Sequence, residues 1–162
     1  MQKISTIGTL ALIGLVLAGV GWYVLFPKIV TMTDYANKEY GFQFSLPESW
    51  VGYSIVPDTW KGYVPGTSGD TVAEQGPLIS IRHPRWTAEI PRQDIPIMIF
   101  TIQQWNFLQQ DKFHIGAAPV GPHELGRNAR YVFALPARYN YAFPAGYEEV
   151  ETILANNPLH VF

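Results

Sequence analysis

The chain contains no charged side chain from Ile4 to Pro27, a run of 24 residues. Its apolar centre, Ile7 to Phe26, has 20 residues, and a helix of that length spans about 30 Å, the thickness of a bilayer's hydrocarbon core. Trp22 and Tyr23 lie near the end of the run, where aromatic rings settle among lipid headgroups. Pro27 ends the helix because it lacks an amide donor. The sequence therefore predicts a transmembrane anchor with a short linker in residues 1–33.

The apolar run has two other interpretations. A cleaved signal peptide would use Ile7 to Ala18 as its apolar core, with Gly19 and Gly21 as the small residues before the cut. Against it, the run continues through Phe26, beyond the point at which a signal sequence turns polar. A packed core helix would need surrounding protein that a small domain does not offer at its N-terminus. The charged fraction of the chain, 15% against about 25% in ordinary soluble proteins, favours the anchor.

Few charges determine the orientation of the anchor. Lys3 precedes the apolar run and Lys28 follows it, so the positive-inside bias is slight. The short segment before the run and the 129 residues from Asp34 onward favour an N-terminus inside the cell. The sequence therefore predicts a single-pass membrane protein whose domain, residues 34–162, is extracytoplasmic, at the cell surface or in a periplasm.

Charge and cysteine content exclude several classes of function. The net charge is −2 and the isoelectric point is about 6.0, which argues against a nucleic-acid binder held by phosphate contacts. The sequence has no cysteine, so disulfides, thiolate metal sites and cysteine nucleophiles are excluded. No serine lies in a Gly-x-Ser-x-Gly elbow, and no two histidines have the helical spacing of a zinc site. The sequence thus predicts no catalytic residue, no metal and no cofactor.

After residue 33, short segments that alternate apolar and polar residues predict strands rather than long helices. Phe42 to Leu46 and Val51 to Ile55 are expected to form a hairpin that bends at Trp50. Residues 57–77 contain four glycines and three prolines and predict a long surface loop. Further strands are predicted at 78–83, at 97–102, which should be buried on both faces, and at 124–125 and 130–135.

Two helices are predicted between and after these strands. Residues 103–111 place Trp105 and Leu108 on one side, and residues 145–156 carry an apolar stripe with acidic residues beside it. Pro144 suits the first helical position of the second helix. The order of strands, helix, strands and helix predicts an α+β domain with a largely antiparallel sheet.

Two segments resemble the PsbP-like domains. The segment Tyr35 to Trp50, which contains Tyr-Gly-Phe-Gln-Phe-Ser-Leu-Pro-Glu-Ser-Trp, resembles their opening hairpin, and the acidic helix from Tyr147 to Leu154 resembles their end. The resemblance implies an α/β/α sandwich, in which helices flank an antiparallel sheet. It also implies a protein that is exported or membrane-anchored, as bacterial members often are, with no assigned chemistry. It carries over no catalytic residue.

Arginine and tyrosine side chains near the C-terminal strands form the main candidate ligand-binding site. These residue types are enriched in binding hot spots and suit anion or carbohydrate sites. In the alternative interpretation the tyrosines pack into the sheet and the arginines pair with the abundant acidic residues. The candidates are Arg127, Arg130, Arg138, Tyr139 and Tyr141.

Two further groups of residues could form sites. Trp60 and Tyr63 could stack on sugars if their rings are exposed, although packing into the core explains them equally well. His114 and His123 flank a loop and could converge on a metal together with Glu124. Surface or hydrogen-bonded histidines are the alternative.

The sequence as a whole predicts an accessory or binding domain at the membrane, without catalytic chemistry, that acts through a protein partner. The alternative is a small-molecule or carbohydrate-binding module that uses exposed Trp, Tyr and Arg side chains. An enzyme is the third hypothesis, and a deep pocket that holds His114, His123 and Glu124 together would favour it.

Overall fold

A computed structural model of the chain describes residues 32–66, 71–116 and 120–162. The transmembrane helix predicted from the apolar run lies outside these ranges. Within them, no helix combines the length and the apolar character needed to span a bilayer. The first described strand begins at Met32.

The strands of the described residues form two antiparallel sheets. They are β1 (Met32–Asn37), β2 (Phe42–Pro47), β3 (Ser54–Tyr63), β4 (Val72–Arg82), β5 (Ile95–Thr101), β6 (His123–Arg127), β7 (Tyr131–Leu135) and β8 (Leu159–Val161). The helices are α1 (Ile102–Gln109) and α2 (Tyr147–Ala155), and a 3-10 turn at Glu48–Trp50 follows β2. The smaller sheet has the order β1-β2-β8 and the larger has the order β3-β4-β5-β7-β6. This arrangement confirms the predicted α+β class and its antiparallel pairing.

The main core joins side chains of both sheets and of α2. In β2 every second residue is buried, as the period of a strand requires when one face meets the core. The buried residues Phe42, Phe44 and Leu46 pack in one cluster with isoleucines of β4 and β5 and with α2. The isoleucines are Ile79, Ile81, Ile95, Ile97 and Ile99, and α2 contributes Val150 and Ile153.

A second core contains the other side chains of β5 and β7 and the buried side of α1. Met98 and Phe100 of β5 pack here with Trp105 and Leu108 of α1. Because side chains of β5 pack in both cores, residues 97–100 are all buried. This burial confirms the predicted central strand. The predicted helix at 103–111 is also confirmed. It starts one residue earlier because Thr101 caps it, with the backbone N–H of Gln104 donating to the Thr101 hydroxyl at 3.1 Å.

The prediction of a hairpin that bends at Trp50 is wrong. β2 pairs with β1, whereas the segment after Trp50 enters β3 and pairs with β4 in the larger sheet. Trp50 is buried in the main core at the point where the chain passes from one sheet to the other. Alternation in the sequence indicates which face of a strand is buried, but it does not identify the neighbouring strand.

The predicted loop at residues 57–77 is also wrong, since most of it forms the β3–β4 hairpin. Gly76 lies opposite Trp60, and a Cβ atom on Gly76 would lie 2.6 Å from Cζ2 of the indole. A Cβ atom on Gly62 would overlap the ring of Phe113. Pro57 is tolerated because β3 is the outer strand of the sheet. The lack of a side chain at Gly62 and Gly76 therefore leaves space for the rings of Phe113 and Trp60.

The closing helix α2 confirms the predicted apolar stripe but begins later than expected. Pro144 lies before the helix, and the residue that precedes the first turn is Gly146, whose φ is +84°. Glycine adopts this left-handed conformation without a steric penalty. The helix ends at Ala155, close to the predicted end, and the chain then continues into β8, which was not predicted.

Candidate binding surface

The five predicted binding residues lie at the two ends of β7. Arg127 and Arg130 flank the turn that leads into this strand, whereas Arg138, Tyr139 and Tyr141 follow its other end. A strand of five residues is about 17 Å long. The structure therefore divides the predicted group into two separate sets.

The arginines at the β6–β7 turn already have partners within the chain. Both Arg127 Nε and Nη2 donate to the carboxylate of Glu124, the Nε–Oε1 distance being 2.6 Å. The guanidinium of Arg127 also lowers the pKa of Glu124 by hydrogen bonding to it. Arg130 is exposed and lies over the ring of Tyr131, 5.5 Å from its centroid. Arg127 therefore matches the alternative interpretation, in which the arginines pair with acidic residues. Arg130 contacts an aromatic ring instead.

Tyr139 is directed toward the main core and differs in this respect from its neighbours. Its side chain is half-buried and packs against that core, and its carbonyl accepts a hydrogen bond from Gln93 Nε2 at 3.2 Å. Burial and the nearby charge of Glu151 raise the pKa of its hydroxyl. Tyr139 also lines a cleft beside α2.

The segment 136–146, which we call the aromatic loop, carries the most exposed rings of this region. Tyr141 is 75% exposed and Phe143 is 65% exposed. The guanidinium of Arg138 lies 5.9 Å from the centroid of the Tyr141 ring, and no ion pair of the described residues includes Arg138. Phe143 packs edge-on against Tyr147 with 5.1 Å between centroids. The loop thus presents two aromatic rings and one cation with no acidic partner.

The backbone of the aromatic loop is held in an unusual conformation. Arg138 and Phe143 have φ values of +55° and +46°, a region that residues with a Cβ atom seldom occupy. Two tight turns fix them, with Tyr141 N–H donating to Arg138 O at 3.0 Å and Phe143 N–H donating to Asn140 O at 2.8 Å. Asn140 Nδ2 also donates to Glu151 of α2 at 2.8 Å. Such conformations persist where the surrounding contacts impose them, and they cluster at functional sites.

A shallow groove of about 340 Å³ lies beside the aromatic loop. Its walls are mostly apolar, and among the described residues that line it Arg138 is the charged one. Residue type alone points to Arg138 and Tyr141 but not to Phe143, which shows no periodic pattern with its neighbours. The other lining residues include Ile115, Pro122, Pro136 and Ala137.

Trp60 is a core residue, so the idea that its ring could stack on a sugar is wrong. Its side chain is buried, and its indole N–H donates to the carbonyl of Ile99 at 2.8 Å. Its ring stacks on Phe100 with 4.4 Å between centroids and lies parallel to Phe113 at 6.1 Å. Tyr63 is half-buried and pairs through its backbone with His114.

The residues considered for a metal site do not come together. His123 and Glu124 line the cleft beside α2, whereas His114 lines a different cavity, near Phe113. The carboxylate of Glu124 already forms an ion pair with Arg127. Across the part of the chain that the structure describes, no group of three His, Asp or Glu side chains is placed to hold a metal ion.

A set of buried polar groups, which we call the polar cluster, lies where β4, the 3-10 turn and α2 meet. His83 packs edge-on against Trp50 with 4.9 Å between centroids, and Arg92 forms an ion pair with Glu149 at 3.6 Å. His83 Nδ1 accepts the backbone N–H of Arg85 at 3.0 Å. In the described ranges, Trp50 Nε1, His83 Nε2 and Arg92 Nε are buried without hydrogen-bond partners. Burial, and then the charge of Arg92, lower the pKa of His83 below its ordinary value of 6.5.

The polar cluster should make stability fall as the pH decreases below 6.5. Above that value His83 is neutral in both the folded and the unfolded chain. Below pH 6.5 His83 binds a proton in the unfolded chain, but in the folded chain it stays neutral until the pH reaches the lowered pKa. The free energy of unfolding therefore decreases between these two pH values. Glu149 opposes the effect and Arg85 adds to it. Urea unfolding between pH 7.5 and 5 should show a smaller pH dependence in His83→Gln than in the wild type, whereas the exposed His160→Gln should not differ. Equal slopes for all three proteins would contradict this expectation.

No family model, curated protein or solved structure matches this chain. The choice of site therefore depends on the geometry of the chain itself. The aromatic loop is the strongest candidate, because it exposes Tyr141 and Phe143 beside the guanidinium of Arg138 on a backbone fixed by hydrogen bonds.

Proposed function

We propose that this chain is a non-catalytic binding domain, tethered to a membrane by its apolar N-terminal run, that binds a partner protein through the aromatic loop. The observation that carries the proposal is the exposure of Tyr141 and Phe143 next to Arg138. Tyrosine and arginine are the residue types that dominate the energetics of protein interfaces. Because turns fix the loop in advance, little conformational entropy is lost when a partner binds.

The groove beside the loop defines the chemistry of the partner. Its apolar walls suit an apolar side chain, and Arg138 suits a carboxylate beside that side chain. The partner segment would therefore combine an apolar residue with an adjacent Asp, Glu or C-terminal carboxylate. The apolar residue would bind in the groove, and the carboxylate would bind the guanidinium of Arg138.

The membrane location and the finer fold belong to the same proposal. The charge-free run of 24 residues supports a single-pass anchor, and we propose that the domain lies outside the cytoplasm. α1 packs on one face of the larger sheet, and α2 packs in the main core with the smaller sheet. This layering is compatible with the α/β/α sandwich that the resemblance to PsbP-like domains implies. An accessory protein at a membrane would fit both features.

Photo-crosslinking in the native membrane tests the proposal. Benzoylphenylalanine in place of Tyr141 in the full-length chain should cross-link to one protein, and the captured segment should contain an apolar residue next to a carboxylate. Arg138→Glu should reduce the yield about tenfold, because it replaces attraction by repulsion. Arg130→Glu is the matched control, since this exposed arginine lies at the other end of β7.

A second control uses Phe162, which is 66% exposed and lies near the β1–β2 turn. Benzoylphenylalanine at this position should give no comparable product. Equal yields from positions 141 and 162, or an Arg138→Glu yield equal to that of Arg130→Glu, would contradict the proposed surface. Cross-links to lipid or to a second copy of the chain would contradict the proposed partner. Loss of cross-linking in the presence of a saccharide would favour a carbohydrate-binding module instead.

A further inference from the structure

A cleft of about 280 Å³ lies between β6 and the last turn of α2. Its wall is largely apolar, and four leucines from β6, β7, α2 and β8 contribute to it. Polar and charged groups also line it, including Tyr139. A cleft of this composition suits a ligand that has an apolar portion and one polar end. The leucines are Leu125, Leu135, Leu154 and Leu159.

The charged residues that line the cleft are acidic. Of the described residues, Glu124 and Glu151 are in the lining together with His123, whereas no lysine or arginine is. Arg127 neutralises Glu124 through the ion pair described above. Glu151 accepts a hydrogen bond from the neutral amide of Asn140, and the ion pairs of the described residues do not include it. Glu151, an exposed residue at the cleft, therefore has no cationic partner among the described residues.

The C-terminus of α2 adds to this negative potential. The cleft is lined by Ala155, the last residue of the helix, and by Asn157 and Pro158, which follow it. The last turn of α2 carries no basic residue. The carbonyl groups at a helix C-terminus bear a partial negative charge, which a nearby cation stabilises. Asn156 and Asn157 donate hydrogen bonds to carbonyls of this turn, but both are neutral, so no side chain of the turn supplies a cation.

From these observations we infer that the cleft binds an organic cation, an ammonium group on a short apolar stem. The ammonium group lies near Glu151 and the C-terminus of α2, and the stem lies against the leucines. Tyr139 also lines the cleft, and an aromatic ring near a cation adds a favourable contact. A free amine and a lysine side chain of another protein share this chemistry. The site is separate from the groove at Arg138, which suits an anion.

Methyl NMR of the full-length chain in a nonionic detergent tests the inference with n-butylammonium as the probe. The leucine methyl signals of the cleft should shift saturably with n-butylammonium but not with n-butanol or butyrate. Glu151→Gln keeps an acceptor for Asn140 and removes the charge, so it should weaken binding about tenfold, the scale of one charge-assisted contact. Glu148→Gln removes a carboxylate from the first turn of the same helix and should leave binding unchanged.

The unliganded methyl spectrum of Glu151→Gln should match that of the wild type, which separates loss of binding from loss of folding. Saturable shifts with Nα-acetyl-lysine amide as well as n-butylammonium would identify a lysine side chain as a ligand, and shifts with n-butylammonium alone would identify a free amine. Equal shifts with n-butanol, or equal affinities of wild type and Glu151→Gln, would overturn the inference. The cross-linking at Tyr141 is independent of either result.

Discussion

Val150→Asp unfolds the domain. Val150 is fully buried in the main core, where α2 packs with both sheets. The substitution places a carboxylate among isoleucine and phenylalanine side chains that cannot hydrogen-bond to it. We expect the free energy of unfolding to fall by more than about 4 kcal/mol, a large part of the 5–15 kcal/mol that stabilises a typical domain. Loss of the near-ultraviolet circular dichroism signal and rapid proteolysis of the full-length chain would show it.

Two neighbours on α2 provide graded controls for Val150→Asp. Thr152 is exposed on the same helix, so Thr152→Asp introduces the same charge into water and should cost less than about 1 kcal/mol. Leu154 is half-buried and lines the cleft, so Leu154→Asp should fall between the two. Both residues belong to the apolar stripe of residues 145–156, but only Val150 is fully buried. A folded Val150→Asp protein would mean that α2 does not pack against the sheets.

Gly76→Ala destabilises the β3–β4 hairpin although it adds only one methyl group. The new Cβ atom would lie 2.6–2.7 Å from three atoms of the Trp60 indole. That ring is held in place by stacking on Phe100 and by the hydrogen bond from its N–H to the carbonyl of Ile99. Overpacking of this kind typically costs about 1–3 kcal/mol. Thermal unfolding of the full-length chain, followed by tryptophan fluorescence, should show a lower Tm.

A smaller ring at position 60 should relieve the effect of Gly76→Ala. In a Trp60→Phe background the same substitution has more space, so its cost should decrease, and a double-mutant cycle measures the difference. Gly121→Ala is the matched control, because a Cβ atom on Gly121 has no neighbour within 4 Å. Additive effects of Trp60→Phe and Gly76→Ala would show that the indole does not occupy the space above Gly76.

Local patterns in the sequence predicted the elements that such patterns determine. The unbroken apolar run of β5 and the Trp105–Leu108 spacing of α1 are visible within a few residues, and both elements are present. The β3–β4 hairpin was missed because the four glycines and three prolines of residues 57–77 are typical of a loop. Here Gly76 is required by a ring on the facing strand, and the position of that ring depends on strand pairing.

The candidate site was predicted by residue type but not by location. Arginine and tyrosine content identified Arg138 and Tyr141, and the same criterion included Arg127, which the fold places at the far end of β7 with an acidic partner. Phe143 and the cleft beside α2 could not be found in this way. Their exposure and lining depend on contacts between segments that are distant in the chain.

The strand order of the smaller sheet determines how late in synthesis that sheet can be completed. Its central strand β2 lies between β1 and β8, and Phe44 pairs with Leu159, 115 residues later in the chain. Such a distant pairing forms slowly, since a long segment must close before any contact compensates the lost entropy. A nascent chain emerging from the ribosome would therefore leave one edge of β2 unpaired until β8 is synthesised. The smaller sheet can therefore be completed only after synthesis has reached β8, whatever the order in which the other strands pair.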